Sequence, residues 1–210
     1  MIKVMLADDH AIVRKGLRQL LEETGFIQVV AEADDYPAIM KAVRANDLDV
    51  LVMDITMPGK NGVDVLKIVK GEKPKLAVLM LSMHPEDQYA VRALKAGASG
   101  YLTKNSAPER LVDAIQTISS GRRYITAELA ESLASHLTDD TDKPLHSTLS
   151  DREFQTIRLI ASGRKLSEIA EELNLSPKTV SVYRARIMEK MKMKNNAELT
   201  HYALKHGLVE

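Results

Sequence analysis

Apolar residues in the first 120 positions occur in short runs that alternate with longer amphipathic stretches. Two of the runs, LAVLML and the VLVM of DVLVM, are continuously apolar and rich in Val and Leu, which is typical of strands covered on both faces of a parallel sheet. The short runs predict five strands, at residues 2–7, 27–32, 49–53, 76–81 and 99–103.

Residues with helical periodicity fill the intervals between these runs. In the first interval the apolar positions are Ile12, Val13, Leu17, Leu20 and Leu21. The remaining predicted helices cover about 37–45, 62–70, 86–96 and 107–119. Strands that alternate with helices of this length imply βαβ units, so the pattern predicts an α/β domain with a doubly wound, five-stranded parallel sheet.

The pattern changes after residue 120. Residues 126–137 have helical character, and the polar stretch TDDTDKPLHST has no periodicity, which favours an exposed linker. Four helices without strands are then predicted, at about 151–161, 166–173, 177–191 and 196–205, and a capping-box pattern precedes the first. We therefore expect a first domain at 1–120, a linker helix and flexible linker at 121–147, and an all-α domain at 148–210.

Composition and charge narrow the class of protein. The 210 residues include no cysteine, which excludes disulfides and thiolate metal sites, and charged residues interrupt the first apolar run too early for a signal peptide. No apolar run approaches the roughly 18 residues of a membrane span, so we expect a cytoplasmic protein with no membrane partner. Net charge is zero, but residues 148–210 carry eleven Lys and Arg against eight Asp and Glu, which suggests modules with different partners.

Polar residues follow the predicted strands at their carboxyl ends, where parallel sheets bind ligands. Asp8 and Asp9 follow the first strand; Asp54, Ser82 and Lys104 follow the third, fourth and fifth. Clustered carboxylates repel one another, and a bound Mg²⁺, which prefers oxygen ligands, would relieve that repulsion. One carboxylate could then attack phosphorus, while the ammonium and the hydroxyl hold the oxygens of the resulting acyl phosphate.

Each of these residues also has an ordinary structural explanation. An aspartate after a strand is commonly a turn residue or a helix cap, a serine there can cap the next helix, and a lysine is commonly solvated. His10 has two interpretations, a metal ligand or a residue at the start of a helix near the acidic site, and its position favours the second. The convergence of five side chains on one sheet edge is what favours chemistry over these explanations.

The motifs LADDH, VMDITMPGKNG, LS and GYLTK resemble those of the receiver domain of two-component response regulators, a flavodoxin-like fold. The resemblance implies that Asp54 is the phospho-acceptor. It also implies that Asp9, Asp54 and the backbone carbonyl of Thr56 bind Mg²⁺ directly, with Asp8 helping to position the ion. Switch roles for Ser82, Tyr101 and Lys104, and a site loop formed by Met57, Pro58, Gly59 and Gly62, follow from the same resemblance.

The predicted helix at 177–191 has two distinct faces. Val180, Ile187 and Met191 lie on one side, which should pack inward. Lys178, Ser181, Val182, Ala185 and Glu189 lie on the other side, flanked by Arg184 and Arg186. Small residues at the centre of the outer face would let the helix enter a major groove, and the flanking arginines could reach phosphates. An ordinary amphipathic helix with a solvated basic face is the alternative.

Residues 149–191 resemble the LuxR-type DNA-binding domain, through Leu149, Glu153, Glu168, Ile169, Ala170, Leu173, Ser176, Thr179 and Val180, with Leu199 further on. The resemblance implies that Ser181, Val182 and Ala185 face base edges. It places Lys178, Tyr183, Arg184 and Arg186 nearer the DNA backbone, and Thr179 is included in the DNA-binding set. Arg164-Lys165-Leu166 departs from the small polar cap expected of the preceding helix. Because the base-reading face is poor in Arg, Asn and Gln, we expect modest sequence specificity per monomer, supplemented by dimerisation or DNA shape.

The whole chain therefore resembles a NarL/FixJ-type response regulator. This implies a transcriptional regulator that accepts phosphate from a sensor histidine kinase, binds promoter DNA and forms a homodimer when phosphorylated. It implies no enzyme beyond Mg²⁺-dependent self-phosphorylation from phosphodonors and slow autodephosphorylation. One alternative is a constitutive DNA-binding regulator that uses its receiver mainly for dimerisation. Another is a phosphatase of the haloacid dehalogenase type, but such enzymes carry an aspartate where this chain has Thr56.

Overall fold

The computed structural model describes residues 1–57, 60–83, 88–127, 129–131 and 144–209. The chain divides into two compact units, Met1–Leu137 and Thr138–Glu210, and the division falls inside the segment 121–147. Within the described residues, none of the helices has both the length and the apolarity needed to cross a membrane.

The first unit alternates strands and helices as the sequence predicts. Its elements are β1 (Ile2–Ala7), α1 (Ala11–Glu22), β2 (Ile27–Ala33), α2 (Tyr36–Ala45), β3 (Val50–Asp54), α3 (Gly62–Glu72), β4 (Ala77–Ser82), α4 (Gln88–Lys95), β5 (Gly100–Thr103) and α5 (Ala107–Ser119). The five strands are parallel and ordered β2-β1-β3-β4-β5. The prediction of a doubly wound five-stranded sheet is confirmed.

Side chains alternate between the two faces of the sheet. Residues such as Val52 and Leu102 face a core shared with α1 and α5. Their neighbours Met53 and Tyr101 therefore face the opposite side, and both are fully buried. Ile12, which the sequence grouped with the apolar positions of α1, is 88% exposed. Leu17 and Leu21 define the buried face, and Ile12 lies well off their stripe at 3.6 residues per turn.

The second unit is helical throughout its described part. It contains a 3-10 helix (Leu145–Thr148), α6 (Asp151–Ala161), α7 (Leu166–Glu172), α8 (Pro177–Met191) and α9 (Asn196–Lys205). The predicted capping box forms, because the Ser150 hydroxyl accepts from the Glu153 N–H and the Glu153 carboxylate accepts from the Ser150 N–H. All four predicted helices are confirmed.

The end of the predicted exposed linker is ordered. His146 is buried within the 3-10 helix, and its Nδ1 lies 2.8 Å from the hydroxyl of Tyr202 on α9. A single aromatic anchor leaves no periodic signal, so the sequence pattern did not reveal it. Residues 128 and 132–143 of the predicted linker helix and linker lie outside the described residues, as do Pro58, Gly59 and the first two positions of the helix predicted at 86–96.

Candidate functional site

The polar residues that the sequence predicts at the carboxyl edge of the sheet lie there. Asp54 is the last residue of β3, Ser82 is the last residue of β4, and Asp8 directly follows β1. Lys104 directly follows β5, and its backbone N–H donates to the carbonyl of Ser82 at 2.7 Å. Because neighbouring strands hold these ends in register, the polar side chains meet without any long loop.

Lys104 joins two buried carboxylates. Its Nζ lies 2.6 Å from Asp8 Oδ2 and 2.7 Å from Asp54 Oδ2. Asp8 and Asp54 are each only 2% exposed. A charge removed from water in this way costs free energy unless it is paired, so the lysine compensates two anions at once.

Burial and neighbouring charges shift the pKa values of both Asp54 and Lys104. Burial raises the pKa of Asp54 to about 6, although the nearby Lys104 charge acts to lower it. Burial alone would lower the pKa of Lys104, but the carboxylates of Asp54 and Asp8 outweigh that effect and raise it. At neutral pH the Asp54 side chain is therefore largely a carboxylate held beside a permanent cation.

A third carboxylate and an imidazole complete the cluster. Asp8, Asp9, His10 and Asp54 each offer one ligand atom, and these atoms all lie within 4.8 Å of one another. His10 stands at the N-cap of α1 with Nδ1 2.8 Å from Asp9 Oδ1. Three converging carboxylates fit the oxygen preference of Mg²⁺, so the residues present suit that ion.

The loop after β3 is shaped by a glycine that has no room for a side chain. A Cβ on Gly62 would lie 2.6 Å from the carbonyl oxygen of Asp54 and from the Cα of Ile55. The Gly62 N–H instead donates to the Ile55 carbonyl at 2.8 Å. Thr56, also in this loop, donates its N–H to Asp54 Oδ1 at 3.2 Å. The backbone thus folds closely around the Asp54 carboxylate.

Ser82 and Tyr101 lie on the same face of the sheet. Ser82 pairs with Thr103 in the β4–β5 register, two residues beyond Tyr101 on β5. Both side chains are buried, and Tyr101 has no exposed surface. The aromatic ring is thus fully inside the first unit.

Two contributors to this site were missed by sequence reasoning. Arg14 on α1 donates to the backbone carbonyl of Asp8. Asn61 is buried and its side chain accepts from the Val63 N–H, which caps α3 beside the loop. An Asn directly before Gly62 at a predicted helix start was a usable signal for the cap, but a cation–carbonyl contact leaves no sequence signature.

Helix α8 of the second unit presents the two faces expected of it. Val180, Ile187 and Met191 are buried. The side chains on the opposite face are exposed to solvent: Lys178, Ser181, Val182, Ala185, Arg186 and Glu189. Those of Thr179, Tyr183 and Arg184 are partly exposed. The helix begins after Ser176, whose hydroxyl accepts from the Thr179 N–H at 3.1 Å.

The turn between α7 and α8 is set by a left-handed residue. Asn174 has φ 51°, and the N–H of Leu175 donates to the Ala170 carbonyl at 2.8 Å, which closes the end of α7 in a Schellman arrangement. At the other end of α7, the Glu168 carboxylate accepts from the Lys165 N–H at 3.0 Å. The absent small polar cap is therefore replaced by the reciprocal half of a capping box.

Ion pairs and hydrogen bonds fix α8 against its neighbours. Lys190 Nζ lies 2.6 Å from the buried Glu153 carboxylate on α6. Burial would raise the pKa of Glu153, but hydrogen bonds from Lys190 and Ser150 outweigh that effect and lower it. Arg184 donates through Nε to the Asn196 side chain at 2.7 Å, which ties α8 to the start of α9.

Comparison with known families identifies both units. Residues 4–116 match the response regulator receiver domain, and residues 147–203 match the bacterial regulatory proteins of the luxR family. Response regulator UvrY of Escherichia coli O6:H1 is 41% identical over 209 residues, 99% of this chain and 96% of that protein. Response regulator GacA of Pseudomonas aeruginosa is 38% identical over 212 residues, covering 100% of this chain and 99% of that protein.

Among solved structures, RcsB of Salmonella enterica serovar Typhimurium is similar over nearly the full length. The structure of RcsB bound to promoter P1flhDC in the presence of the phosphomimetic BeF3⁻ superposes with a TM-score of 0.61 at 30% identity. The match covers 96% of this chain and 97% of RcsB.

Proposed function

The chain belongs to the response regulators that join a receiver domain to a LuxR-family DNA-binding domain, and we propose that Asp54 is its phospho-acceptor. The observation that carries this assignment is the convergence of Asp8, Asp54 and Lys104 within 2.7 Å contacts at the carboxyl edge of the sheet. In this family the receiver is regulatory, so the protein is a phosphorylation-controlled DNA-binding transcriptional regulator and not an enzyme.

The buried carboxylate is arranged for nucleophilic attack. An Asp54 oxygen forms a bond to phosphorus while the bond from phosphorus to the donor, a phosphohistidine of a sensor kinase, breaks. The Thr56 N–H contacts one oxygen of the carboxylate and Lys104 contacts the other. After transfer, Lys104 is placed to neutralise the new phosphoryl oxygens, and the Ser82 hydroxyl supplies a hydrogen bond to them.

Asp8, Asp9, Asp54 and the Thr56 carbonyl are the proposed metal ligands. Mg²⁺, when bound there, would neutralise the clustered carboxylates and the incoming phosphoryl oxygens. Within this set, Asp8 is proposed to position the ion, and Asp9, Asp54 and the Thr56 carbonyl are proposed to bind it directly.

Phosphorylation would be transmitted through the face of the sheet that carries Ser82 and Tyr101. A phosphoryl group at Asp54 offers an acceptor for the Ser82 hydroxyl. Movement of Ser82 at the end of β4 would then shift the buried ring of Tyr101 on β5. The surface around α4 and α5 would then change, which favours a homodimer on paired half-sites of promoter DNA. RcsB forms dimers on DNA, which supports this part of the proposal.

Helix α8 is the proposed recognition element. Ser181, Val182 and Ala185 form the small central surface for base edges, and Lys178 and Arg186 are exposed beside them for phosphates. Thr179, Tyr183 and Arg184 complete the contact set, and the Asn196 bond uses only one of the five N–H donors of the arginine. We propose residues 1–120 and 148–210 as the two functional domains, and the cytoplasm as the location that suits both partners.

The phospho-acceptor assignment is tested by incorporation of phosphate from acetyl phosphate with Mg²⁺, followed by intact mass spectrometry. Wild type should gain one phosphoryl group, and Asp54→Asn should gain none. Asp47→Asn, which removes an exposed carboxylate before β3 at the opposite edge of the sheet, serves as the matched control and should behave as wild type. Equal incorporation by wild type and Asp54→Asn would overturn the assignment.

A further inference from the structure

A second charged cavity lies at the opposite edge of the receiver sheet. It has a volume of about 320 Å³ and is found where β4 and β5 begin, next to Ala77, Ala98 and Ser99. Four cationic side chains line it, from Lys70, Lys75, Arg122 and Arg123. None of its described lining residues is acidic, so the cavity concentrates positive charge at this edge of the sheet.

Arg122 and Arg123 lie in a short segment whose backbone is fixed at both ends. Gly121 ends α5 with φ 82°, which reverses the chain direction. Three residues later the Tyr124 N–H donates to the Ser99 carbonyl at 2.9 Å, and Tyr124 forms a parallel bridge with Gly100. A Cβ on Gly100 would lie 3.0 Å from the Cβ of Tyr124, so the absence of a side chain permits this close approach. Arg122 and Arg123 are held between these two anchors.

Lys70 is fixed from the other side of the cavity. Its Nζ donates to the carbonyls of Pro74 and Leu76 at 2.8 and 2.9 Å, and its stem lies alongside Gly97. Burial lowers the pKa of Lys70, and the charge of Arg123 lowers it further. The cations are therefore close enough to repel one another, and that repulsion is relieved when an anion enters.

The cavity also lacks internal counterions. Within the described part of the chain, Lys75 and Arg123 make no ion pair, and the backbone N–H groups of Arg122 and Arg123 make no hydrogen bond. Elsewhere on the same unit an exposed arginine does find a partner, as Arg44 does with Glu72 at 2.5 Å. Arg122 donates through Nε to the Ser120 hydroxyl at 3.2 Å, which leaves four of its five N–H donors for another partner. Together with the Arg123 guanidinium, these donors line one opening and are of the kind that phosphate groups take.

We propose that this cavity, lined by Lys70, Lys75, Arg122 and Arg123, binds a small anion that carries two or more phosphate groups. Its volume suits a di- or triphosphate and is too small for a folded partner. The phosphates could come from inorganic polyphosphate or from a nucleotide, and both offer the same chemistry to the arginines. A bound anion would bridge Arg122, after α5, and Lys75, before β4. This edge of the sheet is remote from Asp54.

The proposal is tested by calorimetric titration of the full chain with tripolyphosphate and with ATP, at constant ionic strength and with EDTA to exclude metal-bridged binding at the carboxylates. Wild type should bind one anion. The double variant Arg122→Ala/Arg123→Ala should bind about tenfold more weakly or not at all. The control Lys15→Ala/Lys41→Ala removes two exposed cations from α1 and α2 and should stay within about twofold of wild type.

Comparison of the probes identifies the source of the phosphates. Equal affinities indicate that inorganic polyphosphate suffices, and tighter binding of ATP indicates a nucleotide. Absence of tripolyphosphate and ATP binding by wild type at millimolar concentration would overturn the proposal, as would equal binding by the Arg122→Ala/Arg123→Ala variant. If that variant loses affinity only for duplex DNA, the surface contacts a nucleic-acid backbone and the proposal is likewise overturned. Loss of binding with normal phosphorylation of Asp54 would separate this site from the function proposed above.

Discussion

The carboxyl edge of the receiver sheet and the outer face of α8 use charge in opposite ways. At the sheet edge, Asp8 and Asp54 are each 2% exposed and share Lys104 through contacts of 2.6 and 2.7 Å. On α8, Lys178 and Arg186 are exposed and make no ion pair within the described residues. One set of charges is buried and mutually compensated, and the other is solvated and available.

The difference predicts different responses to a new partner. A phosphoryl group added beside Lys104 changes a charge balance that has little water to screen it, so side chains must rearrange. A DNA phosphate that approaches α8 displaces water and counterions from groups that are already displayed. The first site is therefore suited to switching, and the second to binding.

The largest expected effect comes from matched removal of a buried and an exposed lysine. Lys104→Met leaves two buried carboxylates without their cation, and we expect it to lower the free energy of unfolding by about 3 kcal/mol. Lys178→Met removes a solvated charge and should change it by less than about 0.5 kcal/mol. Urea denaturation at neutral pH without Mg²⁺ measures both. Similar losses of unfolding free energy in the two variants would contradict the distinction between buried and exposed charges.

The next effect is the pH dependence caused by Asp54. Its pKa rises from 3.8 to about 6 on folding. The folded state therefore binds this proton more tightly than the unfolded state does, and ionisation of Asp54 lowers the free energy of unfolding. Stability contributed by the protonated carboxyl is complete below about pH 4 and is lost as pH rises through 6. Relative to wild type, Asp54→Asn should gain about 2–3 kcal/mol in unfolding free energy between pH 4 and 7.

This comparison requires the metal-free protein, because Mg²⁺ would favour the carboxylate. Denaturant titrations of both proteins across that range, in EDTA, give the difference directly. A difference that does not change with pH would show that Asp54 is not desolvated as the structure indicates. A difference that falls with rising pH would mean that Lys104 dominates over burial.

The smallest effect is the salt dependence of DNA binding. Each lysine or arginine that contacts a phosphate contributes about 0.9 to the slope of log affinity against log salt concentration. Lys178→Ala and Arg186→Ala should each reduce the slope by about that amount and weaken binding to all sequences similarly. Lys15→Ala, on α1 of the receiver, should leave the slope unchanged. Fluorescence anisotropy at several salt concentrations provides the measurement.

Much of the fold and of the sheet-edge site could be predicted from sequence because the signals are periodic or local. Five strands, the helix pattern and the capping box at Ser150 follow from hydrophobic spacing and cap chemistry. The edge set formed by Asp8, Asp54 and Lys104 follows from topology, since parallel strands end together.

The remaining features depend on three-dimensional contacts that spacing does not encode. The exposure of Ile12, the anchoring of His146 on Tyr202 and the contact of Arg14 with a backbone carbonyl each depend on how packed elements meet. The shared use of Lys104 by two carboxylates is of the same kind, because sequence predicts proximity but not the pairing. The arginine pair at 122–123 likewise becomes a cavity wall only once Tyr124 joins the sheet.

The central claim is that phosphorylation of Asp54 controls DNA binding through α8. The most direct test is genome-wide footprinting with purified wild type and Asp54→Asn, each with and without acetyl phosphate and Mg²⁺. We predict that phosphodonor increases occupancy at a defined set of promoters for wild type and has no effect for Asp54→Asn. Equal occupancy by wild type with and without the phosphodonor would contradict the account and favour a constitutive regulator with a purely structural receiver.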